Sequence, residues 1–366
     1  MKARSLDTPF LLAFLLLAGF GLLIFTSAAL GLLARDGGAN FSSVAASQFL
    51  FGFLLGGGAL VVLSRIEYKR WRPYTPYFFA VALCLTLLTF VPGIGLELKG
   101  AARWIQVGGV TFQPVELLKF AVVLFLAGVY ASRIQETKTV RAGVLPLLLI
   151  AGSSAAVLLL QPDTDGAAMI LIAGATMLFA AGGRIHHLFL LALLGMLVLG
   201  VVVYERPYLA ERFTTFLHQS DDPRGAGWQI SQSLIAVGSG GWTGRGFGQS
   251  IEKFSYLPEP IGDSIFAVAA EEFGFIGSAL LVLLYVSVAL LALRIAARAS
   301  DPFGGLLVVG LTVLIIGQSF MNISSTLGLI PLSGLPLIFV SHGGTALAIS
   351  LAEVGVILSV SRRMKS

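Results

Sequence analysis

Apolar residues in this chain come in long blocks rather than in alternation. Runs with few or no charges cover roughly residues 9–34, 44–64, 76–93, 114–132, 142–160, 167–183, 187–204, 264–293, 304–323 and 342–361. A helix needs about 20 apolar residues to cross the hydrocarbon core of a bilayer, so the pattern predicts about ten transmembrane helices. The separation of 142–160 from 167–183 rests on Gln161-Pro162-Asp163-Thr164-Asp165-Gly166 alone; merging the two would put the termini on opposite sides. Most polar gaps are short. The exception is 205–263, rich in Gly, Pro, Ser and charge but with apolar stretches of its own, such as Ile230 to Val237. Loops of that length are functional or disordered, and this one is expected as a large folded or membrane-hugging cap between spans seven and eight. The gap 94–113, with Arg103, Trp104 and four glycines, is expected as a re-entrant or interfacial segment. The fold class that follows is an all-α polytopic membrane protein, a single domain over 1–366.

Composition removes the alternatives. Of 366 residues 56% are hydrophobic and 12% charged, and the mean hydropathy is +0.90. A soluble domain carries about 25% charged residues, so a water-soluble core, a disordered chain and a disulfide scaffold are all excluded. The net charge of +5 suggests an acidic partner until its placement is considered. Lysine and arginine gather in alternate gaps: Lys2 and Arg4, Arg65 to Arg72, Arg133 to Arg141, Arg184, Arg294 and Arg298, and Arg362 to Lys365. The opposite short gaps hold only Arg35, Lys99 and Arg103. By the positive-inside rule both termini are cytoplasmic and the large loop is outside. The charge therefore reports orientation, and no nucleic-acid partner is implied. The first span lacks an A-x-A cleavage site and reads as a retained helix. With one cysteine, Cys84, and four histidines, no zinc-type spacing exists, so any metal would be a hard ion on carboxylates.

Ionisable residues inside apolar runs are costly and point to function by default. Glu116 and Lys119 lie three apart on one face of the fourth span, as a structural ion pair or as the lining of a polar cavity in which Lys119 could meet an anionic head group. Glu353 is alone in the last span, and His342 opens that span. The densest group is Tyr256-Leu257-Pro258-Glu259-Pro260-Ile261-Gly262-Asp263, followed two turns later by Glu271-Glu272. Asp263 falls at or next to a helix N-cap, where a carboxylate serves as a cap, or as a general base or cation ligand at the mouth of a cavity. Gly238-Ser239-Gly240-Gly241 and Gly244-x-Gly246-x-Gly248 supply flexible backbone in the same loop. No strand precedes them, so the dinucleotide-binding condition fails. There is no Walker A sequence, and no Ser/His/Asp order can be argued.

Several blocks together resemble the SEDS family (shape, elongation, division and sporulation), the membrane glycosyltransferases typified by RodA and FtsW. Gly100-Ala101-Ala102-Arg103-Trp104-Ile105 with Phe112-Gln113-Pro114-Val115-Glu116-Leu117-Leu118-Lys119 is similar to the family's G-A-x-R-W-I…Q-P-S-E-x-x-K block. Gln161-Pro162-Asp163-Thr164-Asp165-Gly166 resembles its Q-P-D-x-G stretch, with an unusual Thr-Asp before the glycine. Gln229 through Gly241 is similar to Q-S-x-x-A-I-G-S-G-G. Leu257-Pro258-Glu259 through Asp263 and on to Glu271-Glu272 matches L-P-E-x-x-x-D-x-I-F-A-V-x-x-E-E. Asn322-Ile323 and Pro331 through Gly344 resemble the closing N-I…P-L-T-G-I-P-L-P-F-I-S-Y-G-G-S block. The departures are Val115 for Ser, Ile338 for Pro, His342 for Tyr and Thr345 for Ser. Arg212 to Leu217 and Lys253 to Pro260 look closer to the division-type FtsW branch, and the G-T-Q-S-Q stretch of RodA proteins is absent.

The resemblance implies polymerisation of lipid II on the outer face of the bacterial cytoplasmic membrane by an inverting glycosyl transfer. It implies Asp263 as the catalytic base. Arg103, Lys119 and Arg212 are then candidates for the diphosphate, with Glu116 holding Lys119. Gln113, Gln232, Ser239, Glu259 and Ser341 complete the implied substrate-binding set. A Mg²⁺ or Mn²⁺ ion is expected to assist the leaving group, with no organic cofactor. The implied partners are a class B penicillin-binding protein transpeptidase and other division or elongation proteins. A lipid II flippase and a non-catalytic division scaffold are the rival functions.

Overall fold

The computed structural model describes residues 6–34, 41–98, 101–107, 110–217 and 227–364. Lys2, Arg4, Arg35, Lys99 and Lys365 of the orientation argument lie outside the described residues. The chain runs α1 (Thr8–Ala34), α2 (Val44–Arg65), α3 (Thr75–Leu88), β1 (Gly95–Leu98), β2 (Ala101–Val107), β3 (Val110–Phe112) and α4 (Pro114–Ser132). It continues with α5 (Val140–Leu160), α6 (Thr164–Ala180), α7 (Ile185–Glu205), α8 (Pro207–Leu217), α9 (Trp228–Ser239) and the single turn α10 (Glu252–Ser255). The last three helices are α11 (Ile265–Ala297), α12 (Pro302–Thr326) and α13 (Gly344–Ser361). Eight of the helices are long and apolar enough to cross a membrane. Between the long helices run α3 and α6, of 14 and 17 residues. The protein is a multi-pass, helical membrane protein.

Local chemistry sets the helix ends. Proline occupies the first turn of α3, α4 and α12, where a missing N–H costs nothing. Asp163 Oδ1 accepts from Gly166 N at 3.2 Å and Asp301 Oδ1 from Gly304 N at 3.1 Å, capping α6 and α12. The break between α5 and α6 therefore falls on Gln161-Pro162-Asp163, as the pattern of apolar runs required. Side-chain bonds sort the connections into two ends. At one, Tyr68 and Lys69 meet Asp301 at 2.5 and 3.2 Å, Asp7 N reaches Ser361 Oγ, and Thr137 Oγ1 donates to Ala181 O. At the other, Arg103 donates to Gln161 O, Lys253 to Ser27 Oγ, and Asn322 to Asp263 O.

Burial is greatest in α4, α12 and α13, which form the centre. By contrast only 6% of the apolar window of α7 is buried, so Phe189, Met196 and Val201 face lipid. Small residues let the central helices approach closely: a Cβ at Gly355 would sit 2.7 Å from Leu60 O, and one at Gly310 2.5 Å from Val123 Cγ1.

Three expectations change. The segment 94–113, expected as re-entrant or interfacial, holds a small antiparallel sheet in the order β1-β2-β3, because Trp104, Ile105, Thr111 and Phe112 favour extended backbone. The third helix stops at Leu88 and turns, short of residue 93. The eighth apolar run is broken: Gly274 has φ 64 and ψ −164 inside α11. Residues 265–272 before the break are all buried, whereas Phe275, Ile276, Leu280 and Leu283 after it are exposed.

The glycine-rich loop explains how that break is tolerated. Arg245 N donates to Glu271 O and Gly246 N to Glu272 O, both at 3.0 Å, while Phe275 N and Ile276 N donate to Gly241 O and Trp242 O at 2.8 and 3.1 Å. Irregular backbone in a membrane protein survives only where such groups are satisfied internally. A Cβ at Gly244 would lie 2.1 Å from Glu272 O, and one at Gly240 2.0 Å from Ala270 O. At Gly240 and Gly244 the missing side chain allows backbone-to-backbone contact, so the permissive backbone expected of this stretch is used for packing there.

Candidate functional site

Asp263 ends the turn that leads into α11, and every carbonyl of its tripeptide has a donor. His342 N donates to Ile261 O at 2.7 Å and Ser341 Oγ to Gly262 O at 2.9 Å. Asn322 Nδ2 and Thr326 Oγ1 reach Asp263 O at 2.9 and 3.2 Å. Gln48 of α2 braces the same place, donating to Ser341 O at 3.2 Å and accepting from Gly343 N at 3.1 Å. The turn is closed on itself through Glu259 O, which accepts from Gly262 N and Ser264 N. Glu259 has a left-handed backbone, φ 45, unusual for a residue with a side chain. The N-cap of α11 is Ser264, so Asp263 is the residue before it. Two distant segments, one of them braced by α2, thus hold the backbone around a half-buried aspartate.

One face of α12 links this turn to the buried ion pair. Gln318, Asn322 and Thr326 are spaced four apart, about 6 Å per step along a helix. Gln318 Oε1 accepts from Lys119 Nζ at 2.6 Å, and the same ammonium meets Glu116 Oε1 at 2.8 Å. Lys119 is 2% exposed. Glu353 of α13 is also buried and within electrostatic reach of Lys119 and Glu116. The Glu116–Lys119 pair and the backbone of Asp263 are thus brought onto one polar face of α12, although the pair and Asp263 are far apart in sequence.

A second buried network holds the turn from the loop side. Lys253 Nζ bonds Glu272 Oε1 at 2.5 Å and Ser27 Oγ of α1 at 3.0 Å, and Ser27 also donates to Glu272. Glu271 accepts from Ser250 Oγ at 2.5 Å and Ile251 N at 3.0 Å and faces Arg245 at 3.5 Å. Lys253, Glu271 and Glu272 are at most 1% exposed. Removing one partner of such a pair costs about 3–5 kcal/mol. The Glu-Glu step of the sequence is a clamp joining α1, the glycine-rich loop and the start of α11.

The chain's relatives can now be set beside this geometry. The family model described as cell cycle protein, FtsW/RodA/SpoVE, matches residues 7–366. The chain belongs to the FtsW/RodA/SpoVE family. It is 38% identical over 315 residues to stage V sporulation protein E of Bacillus subtilis, covering 86% of each chain. It is 36% identical over 334 residues to the probable peptidoglycan glycosyltransferase FtsW of Geobacter sp. (strain M18), covering 88% of this chain and 91% of that one. A solved chain described under "Structural coordination of polymerization and crosslinking by a peptidoglycan synthase complex" superposes with TM-score 0.75 at 26% identity, covering 94% of this chain and 97% of that one.

In this FtsW/RodA/SpoVE chain the expected diphosphate residues have partners within the protein. Arg103 donates to Gln161 O at 3.2 Å and to Pro162 O, with Asp163 Oδ1 at 3.7 Å. Arg212 donates to Leu332 O at 3.3 Å and lies 3.8 Å from Asp165 Oδ2. Both arginines retain exposure, 27% and 37% of the side chain. Other implied residues scatter. Gln113 precedes α4 as its N-cap residue without a side-chain cap bond. Gln232 is buried in α9, and Ser239 Oγ bonds Ala236 O of its own helix. Glu259 belongs to the Asp263 turn, and Ser341 bonds it from the segment before α13. Among the described residues no three His, Cys, Asp or Glu side chains gather as a cation site would need. Glu271 and Glu272 are matched by lysine, serine, arginine and backbone donors, so these two carboxylates are already engaged within the protein.

Sequence reasoning missed Ser27, Gln48, Lys253 and Gln318 as supports and quoted Asn322 only as part of a motif. The available signal was polarity within apolar runs: Ser27, Gln48 and Gln318 are uncharged, and only ionisable residues stand out there by their cost.

Proposed function

We propose that this chain is a peptidoglycan glycosyltransferase that polymerises lipid II at the outer face of the bacterial cytoplasmic membrane, with Asp263 as general base. The carrying observation is the Asp263 turn, whose three carbonyls are tied to α12 and to the segment before α13. Rigid support of the backbone that carries one carboxylate suits proton transfer to a positioned base. In the reaction the acceptor sugar's 4-hydroxyl attacks the donor's anomeric carbon and its proton passes to the Asp263 carboxylate. The bond from that carbon to the lipid diphosphate breaks, and the diphosphate leaves with the electron pair. Arg212, Arg103 and Lys119 supply positive charge for it. Their exposure separates them: the two arginines can reach a ligand at the surface, whereas Lys119 would meet one only in the interior.

The ten-span topology with both termini cytoplasmic, and a class B penicillin-binding protein as partner, belong to the same proposal. The named relatives and the synthase complex support it. The subtype is division-type, on the FtsW-like blocks around Arg212 and Lys253. A Mg²⁺ or Mn²⁺ ion would, when bound, assist departure of the diphosphate, and no step above depends on it; polymerisation with and without a chelator tests that assignment.

The deciding measurement uses purified protein in liposomes with lipid II, following glycan polymer and lipid translocation separately. Asp263→Ala is expected to abolish polymer while the protein still folds and inserts. Normal polymerisation by that variant would sink the base assignment. Translocation without polymer would favour a flippase, and neither activity with intact partner binding would favour a scaffold.

A further inference from the structure

The Asp163-Thr164-Asp165 turn sets two carboxylates against the two outer arginines, and Asp165 reaches further than an ion pair. Its Oδ2 accepts from Gly334 N at 2.9 Å while facing Arg212 at 3.8 Å. Arg212 in turn donates to Leu332 O, in the same turn as Gly334. One residue on, Leu335 O accepts from Asn322 Nδ2 at 2.9 Å, the amide that also holds Asp263 O. A path of hydrogen bonds and backbone therefore runs from Arg212 of α8 through the 332–335 segment, which Asp165 also holds, to the backbone of Asp263.

We propose that Asp165 is a positioning residue with two separable jobs: it fixes the 332–335 turn that braces Asp263, and it is the internal counter-charge of Arg212. The first job uses a lone pair on Gly334 N, which a neutral amide oxygen can replace. The second uses negative charge, which it cannot. An incoming diphosphate must displace Asp165 from the guanidinium, so Asp165 weakens binding of the anion while keeping α8 docked before it arrives. Side-chain exposure of 37% for Arg212 and 20% for Asp165 leaves this exchange accessible from outside. The inference rests on the glycosyltransferase reading for its kinetic effects, and on geometry alone for the path.

The test uses the full chain in nanodiscs, with Asp165→Asn, Asp165→Ala and Arg212→Gln. Lipid II polymerisation gives kcat and KM, and hydrogen exchange follows peptides spanning 207–217 and 331–336. Asp165→Asn is expected to lower KM about two- to five-fold, the range of an exposed ion pair. Asp165→Ala is expected to lower kcat several-fold relative to Asp165→Asn and to speed exchange at 331–336. Arg212→Gln raises KM, and in the Arg212→Gln background Asp165→Asn no longer changes it. Identical kinetics for the two Asp165 variants, or equal exchange at 331–336 in all proteins, overturns the proposal. Should Asp165→Ala fail to accumulate, an unchanged KM in Asp165→Asn overturns it alone. If the unaltered protein makes no polymer, the functional reading fails, and the exchange at 331–336 in the Asp165 variants still decides the path.

Discussion

Asn322 serves two carbonyls with one amide group, Asp263 O and Leu335 O, both at 2.9 Å. Thr326 covers only the first, at 3.2 Å. Replacing Asn322 by alanine strands a buried acceptor, which costs about 1–3 kcal/mol, and loosens the turn bearing the base. Asn322→Ala should therefore lower both the thermal midpoint and kcat for glycan polymerisation, whereas Thr326→Val should lower them less, because Asn322 still holds the Asp263 carbonyl. Equal losses for the two, measured in the same detergent, would remove Asn322 from its bridging role. The sequence marked Asn322 only through a motif, since an amide inside an apolar run carries no charge to draw attention. Its partners lie 59 and 13 residues away, and separations of that kind are invisible to periodicity.

At the scale of elements, the glycine-rich loop and the broken helix α11 form one unit. The eighth apolar run was legible in the sequence as a span, but its interruption at Gly274 was not, because the hydrophobic pattern continues across it. What makes the interruption stable is the backbone pairing of 241–246 with 271–276, and glycine is required where chains approach that closely. Gly244 has φ 78 and a Cβ there would lie 2.1 Å from Glu272 O, while a Cβ at Gly238 meets nothing within 4 Å. Gly244→Ala should destabilise the protein by about 4 kcal/mol or more, and Gly238→Ala, inside α9, should be neutral or gain about 0.5–1 kcal/mol. Thermal unfolding of both variants checks the contrast; similar midpoints would mean that the loop does not pack as a cradle. Trp242 and Phe275, with rings 5.2 Å apart, are both exposed beside the break.

For the whole molecule, the orientation expected from charge can be read directly by labelling. In a Cys84→Ser background, Gln249→Cys on the glycine-rich loop should react with a membrane-impermeant thiol reagent added to intact cells. Lys138→Cys, in the connection between α4 and α5, should react only after the membrane is opened. The reverse pattern would invert the topology and put the Asp263 turn on the wrong side for an outer-leaflet substrate. The sequence by itself determined the fold class and the family and set an expected sidedness, because a bilayer imposes long apolar runs and sorts cations along the chain. It also singled out Asp263, Glu116 and Lys119, since charge is scarce in such runs. Only the tertiary structure decided which residues meet: Lys253 with Ser27 and Glu272, Gln318 with Lys119, and Asp165 with Gly334 and Arg212. Uncharged polar groups pair according to where helices pack, and packing brings together residues that no spacing along the chain relates.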